Sequence, residues 1–319
     1  MKTYLVTGGF GFIGSHVIDQ ILALDATNKI VNIDKLGVGS NINNVQKHAN
    51  ITNYYVDICD DDIFDIYEDH KPDYIIHCAA ESHVDRSISN PISFIDSNVK
   101  GTANILECVR RFTPKARMVH VSTDEVYGHL GLLDPPFTER TPINPRSPYS
   151  ASKASSDVLA FSYIATYGLN ITVTRCCNNY GPRQHEEKLI PTVINSIKAG
   201  KKVPVYGNGK NIREWIYVED HARALLEVLH LNRSEKLYNI HGTKTITNLE
   251  IIDSIVKIID EQRPELIQNH PDGYIEFVED RKGHDFKYAM STIFSDVTSL
   301  DHQRKFEDGL RTTVISYLG

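Results

Sequence analysis

Cysteine is sparse in this chain and follows no pattern. Cys59, Cys78, Cys108, Cys176 and Cys177 are the only five among 319 residues. They show neither the pairing of a disulfide framework nor the spacing of a zinc site. Cys78 and Cys176 fall in apolar, strand-like runs and read as small buried hydrophobes. The 14 histidines are scattered without metal spacing, so no metal is assigned. Long apolar runs are missing as well. None approaches the ~20 residues of a membrane helix, and Met1 to Thr7 reads as a short strand running into glycines, not as a signal peptide. Basic residues are in deficit, 34 against 41 acidic for a net charge of -7, which argues against a general nucleic-acid binder. No internal repeat or low-complexity linker interrupts the chain. A cytoplasmic globular protein with neither nucleic acid nor membrane as partner is expected, long enough for one large domain and a smaller lobe.

Glycine, in contrast, is present at telling places. Thr3 to Thr7 predicts a first strand and Phe12 to Leu24 the helix after it, with Gly8, Gly11 and Gly14 between them. Glycines so placed allow a tight turn, close approach of backbone to a pyrophosphate, and close packing of helix on strand. A second strand, Ile30 to Ile33, ends in Asp34, about 20 residues beyond Gly14, where a carboxylate binds the ribose diol of a dinucleotide. That carboxylate repels a 2′-phosphate, so NAD is expected over NADP, with the adjacent Lys35 pulling the other way. Tyr54-Tyr55-Val56 leads to Asp57-Ile58, an edge for an adenine pocket. Tyr74 to Cys78 is a near-continuous apolar strand, as in a parallel sheet covered on both faces. Ala79-Ala80-Glu81-Ser82 follows, with small residues that let a cofactor lie against the backbone. Long helices are expected over Phe94 to Arg111 and Tyr149 to Tyr167, and a strand over Ile171 to Cys176. The alternation predicts an α/β protein, with a Rossmann-type doubly wound parallel sheet over residues 1–177. Over 178–319 the elements shorten, with helices expected at Lys188 to Ala199, Asp220 to Leu231 and Ile251 to Ile259. This part reads as a smaller C-terminal substrate-binding lobe, some of whose segments return to the main sheet.

Two stretches carry the chemistry. Met118 to Val121 reads as a strand, so Ser122-Thr123-Asp124-Glu125 falls at its carboxyl end, where open α/β sheets place their ligands. Tyr149 and Lys153 lie four residues apart on one helix face. A phenol loses its proton near pH ~10, and a neighbouring lysine ammonium favours the phenolate and brings it toward use as a base. Taken singly, Asp124-Glu125 reads as a solvated turn and Tyr149/Lys153 as a helix-surface pair. Their convergence at the strand ends of one sheet is what points to catalysis. Arg213 is a candidate for a diphosphate because its planar fork matches phosphate oxygens, the alternative being a surface salt bridge with Glu214 or Glu219.

Together, Thr7-Gly8-x-x-Gly11-x-x-Gly14, Tyr149-x-x-x-Lys153 and Ser122 to Gly128 resemble the extended short-chain dehydrogenase/reductases. Within them the chain is most similar to the nucleotide-sugar 4,6-dehydratases, the dTDP-glucose branch above all. The specific signs run the length of the chain: Ala79 to Ser87, Thr123-Asp124-Glu125, Asn178 to Pro182, Glu187 to Pro191, Arg213 to Asp220 and Asp280 to Asp285. The 4-epimerases of the family share the glycines and the Tyr/Lys pair but usually lack the Asp-Glu pair.

The resemblance implies NAD, held by Gly8, Gly11, Phe12, Ile13, Gly14, Asp34, Lys35, Asp57, Ile58, Ala79, Ala80, Ser82, Ser97, Tyr149, Lys153 and Asn179. It implies a nucleotide-diphosphate sugar as substrate, dTDP-glucose or UDP-glucose. The residues around that substrate would be Ser82, Thr123, Asn178, Lys188, Leu189, Pro204, Tyr206, Arg213, Asn248, Arg281 and His284. Catalysis would fall to Thr123, Asp124, Glu125, Tyr149 and Lys153, giving a 4-keto-6-deoxy sugar nucleotide for deoxysugars such as rhamnose. It also implies a homodimer packed through the two long helices, whose apolar outer positions are read as Leu106, Val109, Leu159 and Tyr163. A 4-epimerase on the same scaffold and a non-catalytic NAD-binding regulator are the other readings. The sequence departs from bacterial relatives at Arg183-Gln184-His185-Glu186, where a more aromatic, proline-containing stretch is usual, and in a shorter connection from Gly128 to Pro148. Both departures bear on the shape of the sugar site.

Overall fold

Short runs of β-branched and aromatic residues supply the strands in the first half of the chain. The computed structural model describes residues 1–232, 234–270, 272–280 and 283–319. Its strands are β1 (Thr3–Thr7), β2 (Lys29–Ile33), β3 (Ile51–Tyr54), β4 (Tyr74–His77), β5 (Arg117–Thr123) and β6 (Asn170–Cys176). There follow β7 (Asn178–Tyr180), β8 (Val203–Tyr206), β9 (Ile212–Tyr217), β10 (Leu237–Ile240), β11 (Lys244–Thr247) and β12 (Ile275–Val278). Seven strands form the main sheet in the order β10-β6-β5-β4-β1-β2-β3, and every pairing is parallel. The order reverses between β1 and β4, and the crevice outside the strand ends at such a point is where doubly wound sheets bind ligands.

Both faces of the sheet are buried, which is why its strands read as almost unbroken apolar runs. Leu5, Val31, Ile75 and Met118 face one core, packed by Leu106 and Val109. Tyr4, Val6, Ile76 and Val119 face the other, packed by Val17, Ile21 and Leu225. The remaining strands build a smaller lobe: β11-β9-β7 form one sheet, and β12 pairs with β8. Its core gathers Ile190, Ile194, Trp215, Ile251, Ile255 and Phe306. Two segments beyond residue 177 return to the large unit. β10 adds the outermost strand beside β6, and the helix Val218–His230 packs against the helix Phe12–Leu24. Among the described residues no helix is long and apolar enough to cross a membrane.

The helix expected over Phe94 to Arg111 is corrected in two respects. It begins at Pro91, and a π-helical turn at Asp96–Lys100 separates Pro91–Ile95 from Gly101–Phe112. Leu106 and Val109, expected on its outer side, are fully buried in the chain's own core, and Leu159 and Tyr163 pack partly against that core. The helix Pro148–Tyr167 turns Ser155, Val158 and Ser162 outward instead, with Ala151 half-buried on the same face.

Candidate active site

The cleft begins with the glycine turn. Gly8 has φ +71, and a Cβ on it would come within 2.8 Å of the Ala79 nitrogen, while one on Gly14 would lie 2.3 Å from the Gly8 carbonyl oxygen. These two glycines are required by the protein's own close packing. Gly11 differs, since its Cβ would meet only the Gly8 oxygen, at 3.1 Å. It begins the helix Phe12–Leu24 without a side-chain cap, and residues 11–14 line the cleft. A helix start that lines a cleft suits an anionic pyrophosphate. Asp34, at the end of β2, accepts from the backbone N–H of Phe10 at 3.0 Å, that of Leu36 at 2.8 Å and the Ser40 hydroxyl at 2.8 Å. A carboxylate has about four acceptor sites, so one remains for a ribose hydroxyl. Lys35 does not stand alone beside it, because its Nζ lies 3.2 Å from Asp57 and 3.6 Å from Glu81. These residues fit NAD.

One cleft of about 300 Å³ is lined by all the residues assigned above to the cofactor: Gly8, Gly11, Phe12, Ile13, Gly14, Asp34, Lys35, Asp57, Ile58, Ala79, Ala80, Ser82, Ser97, Tyr149, Lys153 and Asn179. Thr123, Asp124 and Glu125 line it too, with Asn178 and Lys188 from the substrate set. Lys188 Nζ donates to the Ser82 carbonyl at 2.9 Å, and Arg86 pairs with Glu187 at 2.5 Å, so the smaller lobe is tied across the mouth. Leu189, Pro204, Tyr206, Arg213, Asn248 and His284 do not line the cleft. Pro204 and Tyr206 sit on β8, with the His284 ring edge-on to Tyr206 and His284 Nδ1 2.6 Å from Asp280. Asn248 opens the helix Asn248–Gln262, its N–H donating to Asn211. Arg281 lies outside the described residues.

Arg213 is not a surface residue. It is 5% exposed. Its guanidinium donates to the carbonyls of Ile212, Phe286 and Asp285 and lies over the Tyr288 ring at 4.5 Å. Glu214, weighed as its surface partner, is also buried, accepts from the Met290 N–H at 2.9 Å, and is pushed up to about 8 by burial. Cys78 and Cys176 pack as small residues, but both also line the cleft. The glycine-rich loop Gly37 to Ser40 and the pair Gln184 and His185 line it as well. Glycines following the ribose carboxylate were the available signal for that loop. No signal in the sequence marked Gln184 or His185 beyond the departure noted there.

At the reactive end, β5 carries Thr123 to its last position, and the one-turn helix Asp124–Tyr127 begins with the two carboxylates. The Thr123 hydroxyl donates to Asp124 Oδ1 at 3.1 Å and accepts from the Glu125 N–H at 3.3 Å. Asp124 is 2% exposed, and burial, then the Glu125 charge, pushes its carboxyl up to about 7. It is not a solvated turn residue. Tyr149 and Lys153, at 8% and 3% exposure, are not a surface pair. The helix holding them is fixed by a capping box at Ser147 and Ser150 with Pro148 at its first position. Lys153 Nζ donates to the Val121 carbonyl at 2.8 Å. The expectation that Lys153 brings the phenol down is corrected. Burial, then the Glu125 charge, holds the Tyr149 hydroxyl well above the ordinary phenol, and burial lowers Lys153 itself.

Comparison with known proteins gives this arrangement its family. The family model described as GDP-mannose 4,6 dehydratase matches residues 5–310. A dTDP-glucose 4,6-dehydratase of Escherichia coli is 44% identical over 98% of this chain and 93% of its own length. Among solved structures, a dTDP-glucose 4,6-dehydratase from Streptomyces venezuelae with NAD and TYD bound matches at TM-score 0.89 and 39% identity, covering 99% of this chain and 97% of that one. A UDP-glucose 4-epimerase from Thermotoga maritima, solved with UDP-glucose, matches at TM-score 0.86 and 26% identity, covering 99% and 98%. The chain belongs to the GDP-mannose 4,6 dehydratase family, with dTDP-glucose 4,6-dehydratases among its relatives.

Proposed function

We propose that this protein is an NAD-dependent hydro-lyase that converts dTDP-glucose to its 4-keto-6-deoxy derivative. The observation that carries the reading is Asp124, a buried carboxyl pushed up to about 7, set beside Glu125 and within one cleft with Tyr149 and Lys153. The scaffold alone does not choose, since a 4-epimerase matches it almost as well. An epimerase needs only the Tyr/Lys half of the site. A dehydratase also needs an acid and a base on neighbouring carbons, and adjacent carboxyl groups held in different surroundings supply that pair.

NAD, bound along Gly11 to Gly14, Asp34 and Lys153, supplies a hydride acceptor for C4 and then a donor for C6, and its cationic ring favours the phenolate of Tyr149. Tyr149 takes the proton of the 4-hydroxyl, and Thr123 positions that hydroxyl. The 4-ketone acidifies the C5 proton, which Glu125 removes. Asp124, protonated, hands its proton to the departing 6-hydroxyl, so water leaves across C5–C6. After hydride reaches C6, the proton held by Glu125 returns to C5. The net change is loss of one water with the cofactor restored, and the proton Tyr149 took from the 4-hydroxyl passes to solvent while Asp124 regains one from it. In this reading residues 1–177 hold most of NAD, joined by Asn179, and 178–319 mainly bind the sugar nucleotide. Thymidine and uridine differ by one methyl, worth only ~1–3 kcal/mol in an apolar pocket, and dTDP-glucose is favoured because the relatives are named for it. The product would feed synthesis of deoxysugars such as rhamnose.

The test is incubation of the purified protein with dTDP-glucose and with UDP-glucose, separately and in competition. Formation of a 4-keto-6-deoxy product, read by its ultraviolet absorbance in alkali, with no NADH released, supports the reading. Conversion to the galactose epimer without loss of water would establish the epimerase in its place.

A further inference from the structure

Three strand ends meet at the adenosine side of the cleft, and each brings charge to it. Asp34 and Lys35 follow β2, Asp57 lies beyond β3, and Glu81 lies beyond β4; all four line the cleft. A lysine next to the ribose-binding carboxylate would by itself be a counter-ion for a 2′-phosphate, since a mobile ammonium is a ready phosphate partner. Here its Nζ is 3.2 Å from Asp57 Oδ2 and 3.6 Å from Glu81 Oε1. Two carboxylates therefore hold the one ammonium, and a third, Asp34, lines the same end of the cleft.

We infer that Asp57 and Glu81, by holding Lys35 between them, are specificity residues that exclude a 2′-phosphorylated nicotinamide dinucleotide. The inference rests on the NAD reading above. Asp34 opposes the phosphate directly, while Asp57 and Glu81 cancel the lysine charge that would offset that opposition. Each pair alone is weakened by solvent, the three side chains being 37%, 29% and 21% exposed. The exclusion follows from two carboxylates acting on one ammonium. Specificity is a difference of affinities, and an unpaired like charge against the wrong ligand is enough to create one.

The experiment titrates NAD and NADP separately into full-length protein stripped of cofactor, and its readout is the ratio of the two affinities. Asp57 lines the cleft, so its loss weakens both cofactors and only the ratio is diagnostic. The double variant Asp57→Asn/Glu81→Gln should move that ratio toward NADP by about tenfold or more. Adding Lys35→Met to the double variant should return the ratio toward the parent's. Glu81→Gln alone keeps the backbone hydrogen bonds of Glu81 with Asn98. It should shift the ratio the same way by less, giving a second measurement that does not depend on the double variant folding. A ratio unmoved in both variants, or a gain that survives Lys35→Met, overturns the inference. Failure of the parent to bind NAD would overturn the underlying reading instead, and the two failures are distinguishable.

Discussion

Asp124 and Glu125 are adjacent, yet the fold gives them different environments. Asp124 is enclosed, whereas Glu125 keeps partial exposure at the cleft. Burial raises Asp124 from the ordinary carboxylate value to about 7, so the folded chain binds a proton there that the unfolded chain has lost. The sign follows from linkage: where the native state holds more protons, stability falls as pH rises. Between about pH 4 and pH 7 the parent should lose stability that Asp124→Asn, a neutral mimic of the acid, does not lose. The melting-temperature advantage of the variant should therefore grow with pH over that window, and an advantage constant across it would contradict the burial argument. Activity divides differently. Glu125→Gln keeps shape and hydrogen-bonding reach but removes a general base worth ~10²–10⁴-fold. In single turnover it should oxidise C4 and accumulate NADH, seen by near-ultraviolet absorbance, while the dehydrated product fails to form. Tyr149→Phe should give neither signal. Rapid NADH formation by Tyr149→Phe, or parent-like turnover by Glu125→Gln, would reverse the roles given to them.

The elements that position these side chains depend on local signals of unequal legibility. Ser147-Pro148 starts the Tyr149 helix through the Ser147 hydroxyl, which accepts from the Ser150 N–H at 3.0 Å. Ser147→Ala should cost ~0.5–2 kcal/mol in denaturant unfolding, and a cost near zero would mean that Pro148 alone fixes the helix start. Periodicity and glycine placement made β1, the helix Phe12–Leu24, β4 and the Tyr149 helix readable from sequence, because each is set by residues near it in the chain. The π-helical turn at Asp96–Lys100 was not readable. It is bound up with long-range contacts, Asn98 donating to Ser152 and to the Glu81 carbonyl and accepting from the Glu81 N–H, and no local pattern announces those. Arg213 is only partly legible for a related reason. A guanidinium suits phosphate and buried carbonyls alike, and no local pattern shows that Phe286 and Asp285 bring their carbonyls to it. Leu106 and Val109 misled because a helix covered on two sides has little outer face, and periodicity cannot say which apolar stripe is the inner one.

At the scale of the whole molecule, the expected homodimer would have to pack through side chains other than Leu106 and Val109. The helix Pro148–Tyr167 carries Tyr149 and Lys153 on its buried face and Ala151, Ser155, Val158 and Ser162 on the other. Val158 is 53% exposed, and Ile92 and Ile95 on the neighbouring helix are 66% and 45% exposed. Small residues with scattered apolar ones let two helix backbones approach closely, and a twofold arrangement would pair each helix with its own copy. In such an isologous interface one substitution appears twice, so a charge at Val158 meets its like across the axis. Val158→Asp should therefore convert a dimer to a monomer in sedimentation at micromolar concentration. Its unfolding midpoint, taken as a monomer, should stay close to that of the parent fold, because surface changes away from buried features are usually within ±0.5 kcal/mol. The cleft opens at the strand ends, away from this face, so the monomer should still bind NAD. A parent that already sediments as a monomer, or a Val158→Asp protein that stays dimeric, would place the subunit contact elsewhere or remove it altogether.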